Sequence, residues 1–102
     1  MKNILILAFN NIEETEFVAP RDLLKRAGHN VDVIVMEDTN TVTSSQGLVM
    51  TFDADRNSIL SNLDKYDMLV MPGGPGADQV DTHKDLDTVI NHFVDNNKLI
   101  GS

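Results

Sequence analysis

Two clusters in this chain carry side chains and backbone suited to chemistry. Glu13, Glu14 and Glu16 stand at the start of an apolar stretch, and Pro72-Gly73-Gly74-Pro75-Gly76 directly follows Met68-Leu69-Val70-Met71. A carboxylate can hold or pass a proton, and glycine lets peptide amides come close to a reacting atom. On a helical wheel Phe17, Pro20, Leu23, Leu24 and Ala27 share one face, with Glu16 on the margin of that face. Glu14 points away, and Glu13 has a similar angle to Glu16 but sits in the first turn, closer to water. For Glu13 and Glu14 the plain reading is that they answer the positive end of the helix dipole. For Glu16 a second reading stands beside it. A carboxyl turned inward and partly desolvated favours its protonated form and could donate a hydrogen bond to a nearby anion. Gly73 and Gly74 lie just past a strand, where open α/β sheets bind ligands. Two free amides there could form an oxyanion hole, and the alternative is an ordinary strand-to-loop turn. The run is neither a GxGxxG fingerprint nor a GxxxxGK[ST] phosphate loop.

The remaining polar residues suggest no second centre. His29 follows Gly28 and reads as a solvated loop residue, His83 precedes a helix, and His92 falls on the polar side of that helix. None shares a zinc-type spacing with a carboxylate, so no metal is expected and no cofactor. Asp78, Asp81, Asp85 and Asp87 read as a helix start and a solvated face. Met36, Met68 and Met71 read as core filler.

The elements that must position these groups follow from periodicity. The continuous apolar run 4–9 suits a strand buried on both faces. A helix is predicted over 13–27 with Gly28 as its stop. A second strand is predicted over 31–36. Thr41-Val42-Thr43 and Leu48-Val49-Met50 flank Ser44-Ser45-Gln46-Gly47 as a short hairpin. A modest helix covers 56–63, and a buried strand 68–71. Leu86, Val89, Ile90, Phe93 and Val94 then mark an amphipathic helix that Asn96-Asn97 ends. Leu99-Ile100-Gly101-Ser102 begins one more strand. Strands alternating with helices imply right-handed βαβ units and a parallel sheet covered on both faces. A parallel sheet whose final strand lacks a following helix has an open edge, so this ending reads as a cut.

Composition narrows the partners. The 102 residues suffice for one small domain, and the 41% apolar content is that of a folded chain. Sixteen acidic against eight basic residues give a formal charge of -8, which repels nucleic acid and leaves no basic membrane-binding face. There is no cysteine, hence no disulfide within the chain. No stretch reaches transmembrane length, and the apolar run at the N-terminus is too short for a signal-peptide core. The expected location is cytoplasmic.

Three segments, taken together, resemble the ThiJ/PfpI family, closest to the branch of the Parkinson-linked protein deglycase. They are Glu13-Glu14-Thr15-Glu16 with Pro20, Asp22-Leu23-Leu24 and Arg26-Ala27-Gly28; Met71-Pro72-Gly73-Gly74-Pro75-Gly76-Ala77; and Leu99-Ile100-Gly101-Ser102. The resemblance implies an α/β, flavodoxin-like (class I glutamine amidotransferase-like) parallel-sheet sandwich, incomplete here, with residues 1–102 as the N-terminal part of a single domain. It implies that Glu16 contacts a nucleophilic cysteine and holds its thiolate, and that the amides of Gly73 and Gly74 face the reacting oxygen. That cysteine is expected just after Ser102, on a strained turn whose helix N-terminus activates it. The family's later histidine falls beyond the chain as well, so these residues alone are expected to be inactive. A nick at the exposed elbow, a truncated polypeptide and a degenerate gene all fit, and the nick is the expectation. The complete domain would attack a small carbonyl substrate in glyoxalase or deglycase fashion. Alternatives are an oxidative-stress sensor or chaperone without turnover, or an intracellular cysteine peptidase. Implied partners are the missing C-terminal half and a second copy in a homodimer. A receiver domain is disfavoured, because Met71-Pro72 stands where its aspartate belongs. A flavodoxin is disfavoured too, because Phe9-Asn10-Asn11-Ile12 is no phosphate loop.

Overall fold

Strand β1, Asn3–Ala8, is the element around which the others assemble. Ile4, Leu5, Ile6, Leu7 and Ala8 are all buried, with Phe9 following them into the core. Such a run cannot alternate apolar with polar side chains, because both of its faces are covered. The computed structural model describes residues 1–73 and 84–101. β2, Asn30–Val35, pairs in parallel with one side of β1, from Asn3 opposite Asn30 to Ala8 opposite Val35. β5, Met68–Val70, pairs in parallel with the other side, Ile4 opposite Met68. β6, Leu99–Gly101, extends the sheet beyond β5. The order is β2-β1-β5-β6, the arrangement of a flavodoxin-like doubly wound sheet. The expected hairpin is present as a separate antiparallel pair, β3, Thr41–Thr43, and β4, Val49–Thr51.

Right-handed crossovers place helix α1, Glu14–Arg26, on one face of the sheet. Helices α2, Arg56–Leu60, and α3, Lys84–Asp95, lie on the other, tied to each other by an Arg56–Asp85 ion pair at 3.3 Å. After β1 the chain turns toward one edge, and after β5 toward the other. The carboxyl ends of these two neighbouring strands therefore bound a crevice, the place where such sheets bind ligands.

Helix boundaries follow from local chemistry. Glu13 caps α1 by accepting from the Thr15 amide at 2.9 Å. At the other end Gly28 adopts φ +91, and His29 donates to the Leu24 carbonyl. That left-handed residue is what the terminating glycine was expected to supply. α3 ends in the same way with Asn97 at φ 55, a conformation asparagine tolerates. The segment expected as one helix over 56–63 instead stops at Leu60 and resumes as a 3₁₀ turn, Leu63–Lys65. Ser61 and Asn62 turn their side chains back onto the carbonyls of Asn57 and Ser58, competing with the helical bonds. On α3, Leu86, Val89 and Phe93 are buried as expected, whereas Val94 at the margin of the stripe is 56% exposed.

The chain's one tyrosine, Tyr66, lies in the core and donates from its hydroxyl to Asp32 on β2 at 2.7 Å. Burial first, then the hydrogen bond and negative charge of Asp32, push the phenol well above its ordinary range. The neutral phenol is favoured in the folded state. This contribution is therefore constant below the unfolded tyrosine pKa near about 10 and is lost as pH rises above it. With no tryptophan to interfere, ultraviolet titration should show no phenolate band near pH ~10 while the fold persists, then a late rise coincident with unfolding. Early ionisation would mean that the Tyr66–Asp32 contact does not form.

Candidate active site

The carboxyl ends of β1 and β5 are joined by backbone and side-chain bonds that involve Gly73 twice. The Gly73 carbonyl accepts from the Glu13 amide at 2.8 Å, and the Gly73 amide donates to Glu16 Oε1 at 3.2 Å. The first turn of α1 thus rests on the segment leaving β5. Met71 donates to the Gly101 carbonyl at 2.8 Å, which brings the end of β6 to the same place. Glu16 and Gly101 line one groove of about 430 Å³ with Pro20, Leu23, Met68 and Val70. Among the described residues Glu16 is the only titratable side chain along it. A carboxylate, a peptide amide and the tip of a parallel strand therefore converge at the switch point of the sheet.

Gly73 is glycine for proximity and not for backbone angle, since its φ lies outside the left-handed region. A Cβ there would lie 3.1 Å from Glu16 Oε1. The amide expected to face a reacting oxygen donates instead to the side chain of Glu16. Pro20 contributes in a different way. It has no N–H, so the Glu16 carbonyl four residues earlier lacks its helical donor.

Some expectations need correction. Glu16 is exposed, so the desolvation expected of it is not realised; it stands on the rim of an open groove. Leu23 on the same helix face is 66% exposed for the same reason. Leu99 and Ile100 lie in the final strand as expected and are 70% and 41% exposed because β6 is an edge. His29 is no free loop residue, since its Nδ1 accepts from the Lys2 amide at 3.0 Å. His92 is mostly covered and lies 3.4 Å from Asp64, packed edge-on against Phe93. Gly74, His83, Asp78, Asp81 and Ser102 lie outside the described residues. Among the described residues no three His, Asp or Glu side chains gather closely enough to hold a metal ion, and no helix is long and apolar enough to cross a membrane.

The sequence reading missed Asn10, Asn11 and Ser44, which surround the first turn of α1. Asn11 takes φ 63 and donates to the Thr43 carbonyl. Asn10 Oδ1 accepts from the Thr43 amide, and the buried Ser44 hydroxyl donates to Glu14. The Asn-Asn pair after a strand was a readable sign of a left-handed residue, but nothing local ties Ser44 to a glutamate thirty residues earlier.

Comparison with known proteins agrees with this fold. Residues 2–102 match the DJ-1/PfpI family. The chain belongs to that family. General stress protein 18 of Bacillus subtilis is 34% identical over 80 residues, 78% of this chain and 45% of that protein. Protein/nucleic acid deglycase 2 of Escherichia coli is 29% identical over 97% of this chain and 57% of its own length. The structure of oxidized Toxoplasma gondii DJ-1 superposes with a TM-score of 0.90 at 29% identity, covering 98% of this chain and 54% of that one. The present chain therefore spans about half the length of the DJ-1/PfpI relatives it matches.

Replacing Gly73 by alanine should push the Glu16 carboxylate back by a few tenths of an ångström and weaken the amide bond, without backbone strain. An upfield move of the residue-73 amide proton, confined to the first turn of α1 and its neighbours, would register this by NMR. An unmoved amide would mean that the two groups are not in contact.

Proposed function

We propose that these residues are the acid-and-amide half of a cytoplasmic DJ-1/PfpI domain whose complete form uses a reactive cysteine, following Ser102, on small carbonyl substrates in glyoxalase or deglycase fashion. The 102 residues contain no cysteine, so in this proposal the thiol comes from the second half of the domain. What supports it is the contact between Glu16 and the Gly73 amide beside the end of β6. In this reading the thiolate adds to the carbonyl carbon and the carbonyl electron pair moves onto oxygen. The amides of Gly73 and Gly74 steady that oxygen, Gly73 by exchanging its bond to Glu16 for one to the new oxyanion, and Glu16 carries the proton. Covering the groove with the rest of the domain would desolvate Glu16 and strengthen its hydrogen bonds. Relatives named as deglycases, from Escherichia coli and Pyrococcus furiosus, are consistent with carbonyl chemistry.

Two partners belong to the same proposal. The second half of the domain would cover the groove and the β6 edge, where Leu23, Leu99 and Ile100 are exposed. A second copy would cover Val18 and Leu48, which line one shallow depression, and the neighbouring Val49.

A stress-sensing role without turnover is the second reading, favoured by the relative named a general stress protein. A peroxide-dependent mass increase with no substrate turnover would distinguish it.

Intact mass of the purified material shows whether a second polypeptide accompanies this one. The complete assembly, offered methylglyoxal, should release lactate, and Glu16→Gln should lower that rate by about 10²–10⁴-fold. A folded assembly that yields no lactate, or a Glu16→Gln form as fast as the parent, sinks the carbonyl reading.

A further inference from the structure

We propose that Ser44, at the start of the turn between β3 and β4, is a positioning residue for Glu16, acting through Glu14 on the opposite side of the same helical turn. The inference rests on the reading above only for why the aim of Glu16 matters; the clamp itself is a property of the described residues.

Residues two apart on an α-helix point about 200° apart around its axis. Glu14 and Glu16 therefore leave the first turn of α1 in nearly opposite directions. Glu16 reaches the Gly73 amide, and Glu14 accepts from the Ser44 hydroxyl. A turn held on one side can roll about its axis, whereas one held on both sides cannot. Ser44 is suited to hold its end. It is 3% exposed, its hydroxyl oxygen also accepts from the Leu48 amide at 2.9 Å, and its own amide donates to the Leu48 carbonyl. The hydroxyl therefore has one free direction for its proton, toward Glu14.

The hairpin that carries Ser44 is fixed to the loop between β1 and α1. Asn11 donates to the Thr43 carbonyl at 2.8 Å, Ser45 to the Ile12 carbonyl at 2.9 Å, and Thr43 to Asn10 Oδ1 at 3.0 Å. Asn11 makes its bond from a left-handed backbone, φ 63, a conformation asparagine tolerates. Pro20 completes the case. By leaving the Glu16 carbonyl without its helical donor, it loosens the first turn from the rest of α1 and transfers control of that turn to its side-chain contacts.

The test follows the Gly73 amide of the 102-residue chain by ¹⁵N–¹H NMR through the carboxylate range, about pH 3 to 6. Its shift should move as Glu16 ionises, and Glu16→Gln should abolish that movement. Besides Glu16, the carboxylates of this turn are Glu13, which caps the helix, and Glu14, which faces Ser44. Ser44→Ala should halve or abolish the movement while the dispersion of the other amides persists, and Ser44→Thr, which keeps the hydroxyl, should restore it. An unchanged Gly73 titration in folded Ser44→Ala overturns the proposal. Should Ser44→Ala unfold the chain, Glu14→Ala breaks the same contact from the helix side. The same loss there supports the clamp and an unchanged titration overturns it. No substrate enters this measurement, so a failed carbonyl assay and a failed clamp are separate outcomes.

Discussion

Parallel pairing puts every carboxyl end of this sheet on one side, and that constraint determines where anything chemical can happen. β1 is bonded to β2 on one edge and to β5 on the other. The loops that leave β1 and β5 must diverge, and the space between them is filled from above by whatever those loops carry. Here it is the first turn of α1 and Gly73. Their contact forms without side-chain bulk on one partner, because a peptide amide and a peptide carbonyl on a glycine are the bonding groups. A larger residue at 73 would meet the carboxylate before the amide could.

Charge at this point is balanced by dipoles and not by cations. Glu13, Glu14 and Glu16 crowd one helical turn, yet no Lys or Arg is bonded to any of them among the described residues. Each takes a different partner: the Thr15 amide, the Ser44 hydroxyl and the Gly73 amide. The helix N-terminus supplies the common positive field. A backbone amide orients the carboxyl without setting a fixed charge beside it, and that orientation serves the role proposed for Glu16.

The sequence made the skeleton legible where one physical signal dominated. β1 was readable because only a doubly covered strand is apolar at every position, and the end of α1 because Gly28 is suited to φ +91. The inward lean of Glu16 was readable from a wheel, since rotation about a helix axis is fixed by spacing alone. Its exposure was not, because burial depends on what covers a groove, and periodicity reports only which face is apolar. The same gap explains Leu23 and Leu99, apolar side chains placed correctly on their elements and open to solvent all the same. The bond from Ser44 to Glu14 was invisible for another reason: it joins two polar residues thirty positions apart whose local roles, turn and helix start, are already satisfied by simpler readings.

Those exposed side chains also bear on how the half-length chain relates to its longer relatives. Burying a Leu or Ile side chain stabilises a fold by about 1.5–3 kcal/mol; Leu23 is exposed on the groove, and Leu99 and Ile100 are exposed on β6, an edge strand among the described residues. A surface of that kind can add another parallel strand and a helix, which would gain apolar burial and edge hydrogen bonds together. The acid and the Gly73 amide lie at the rim of the same surface, so whatever chain seats there would do two things at once. It would complete the sheet, and it would take Glu16 out of water. In the proposed reading, stability and chemical competence would be tied to one docking event, and a partner that failed to cover the groove would leave both undone.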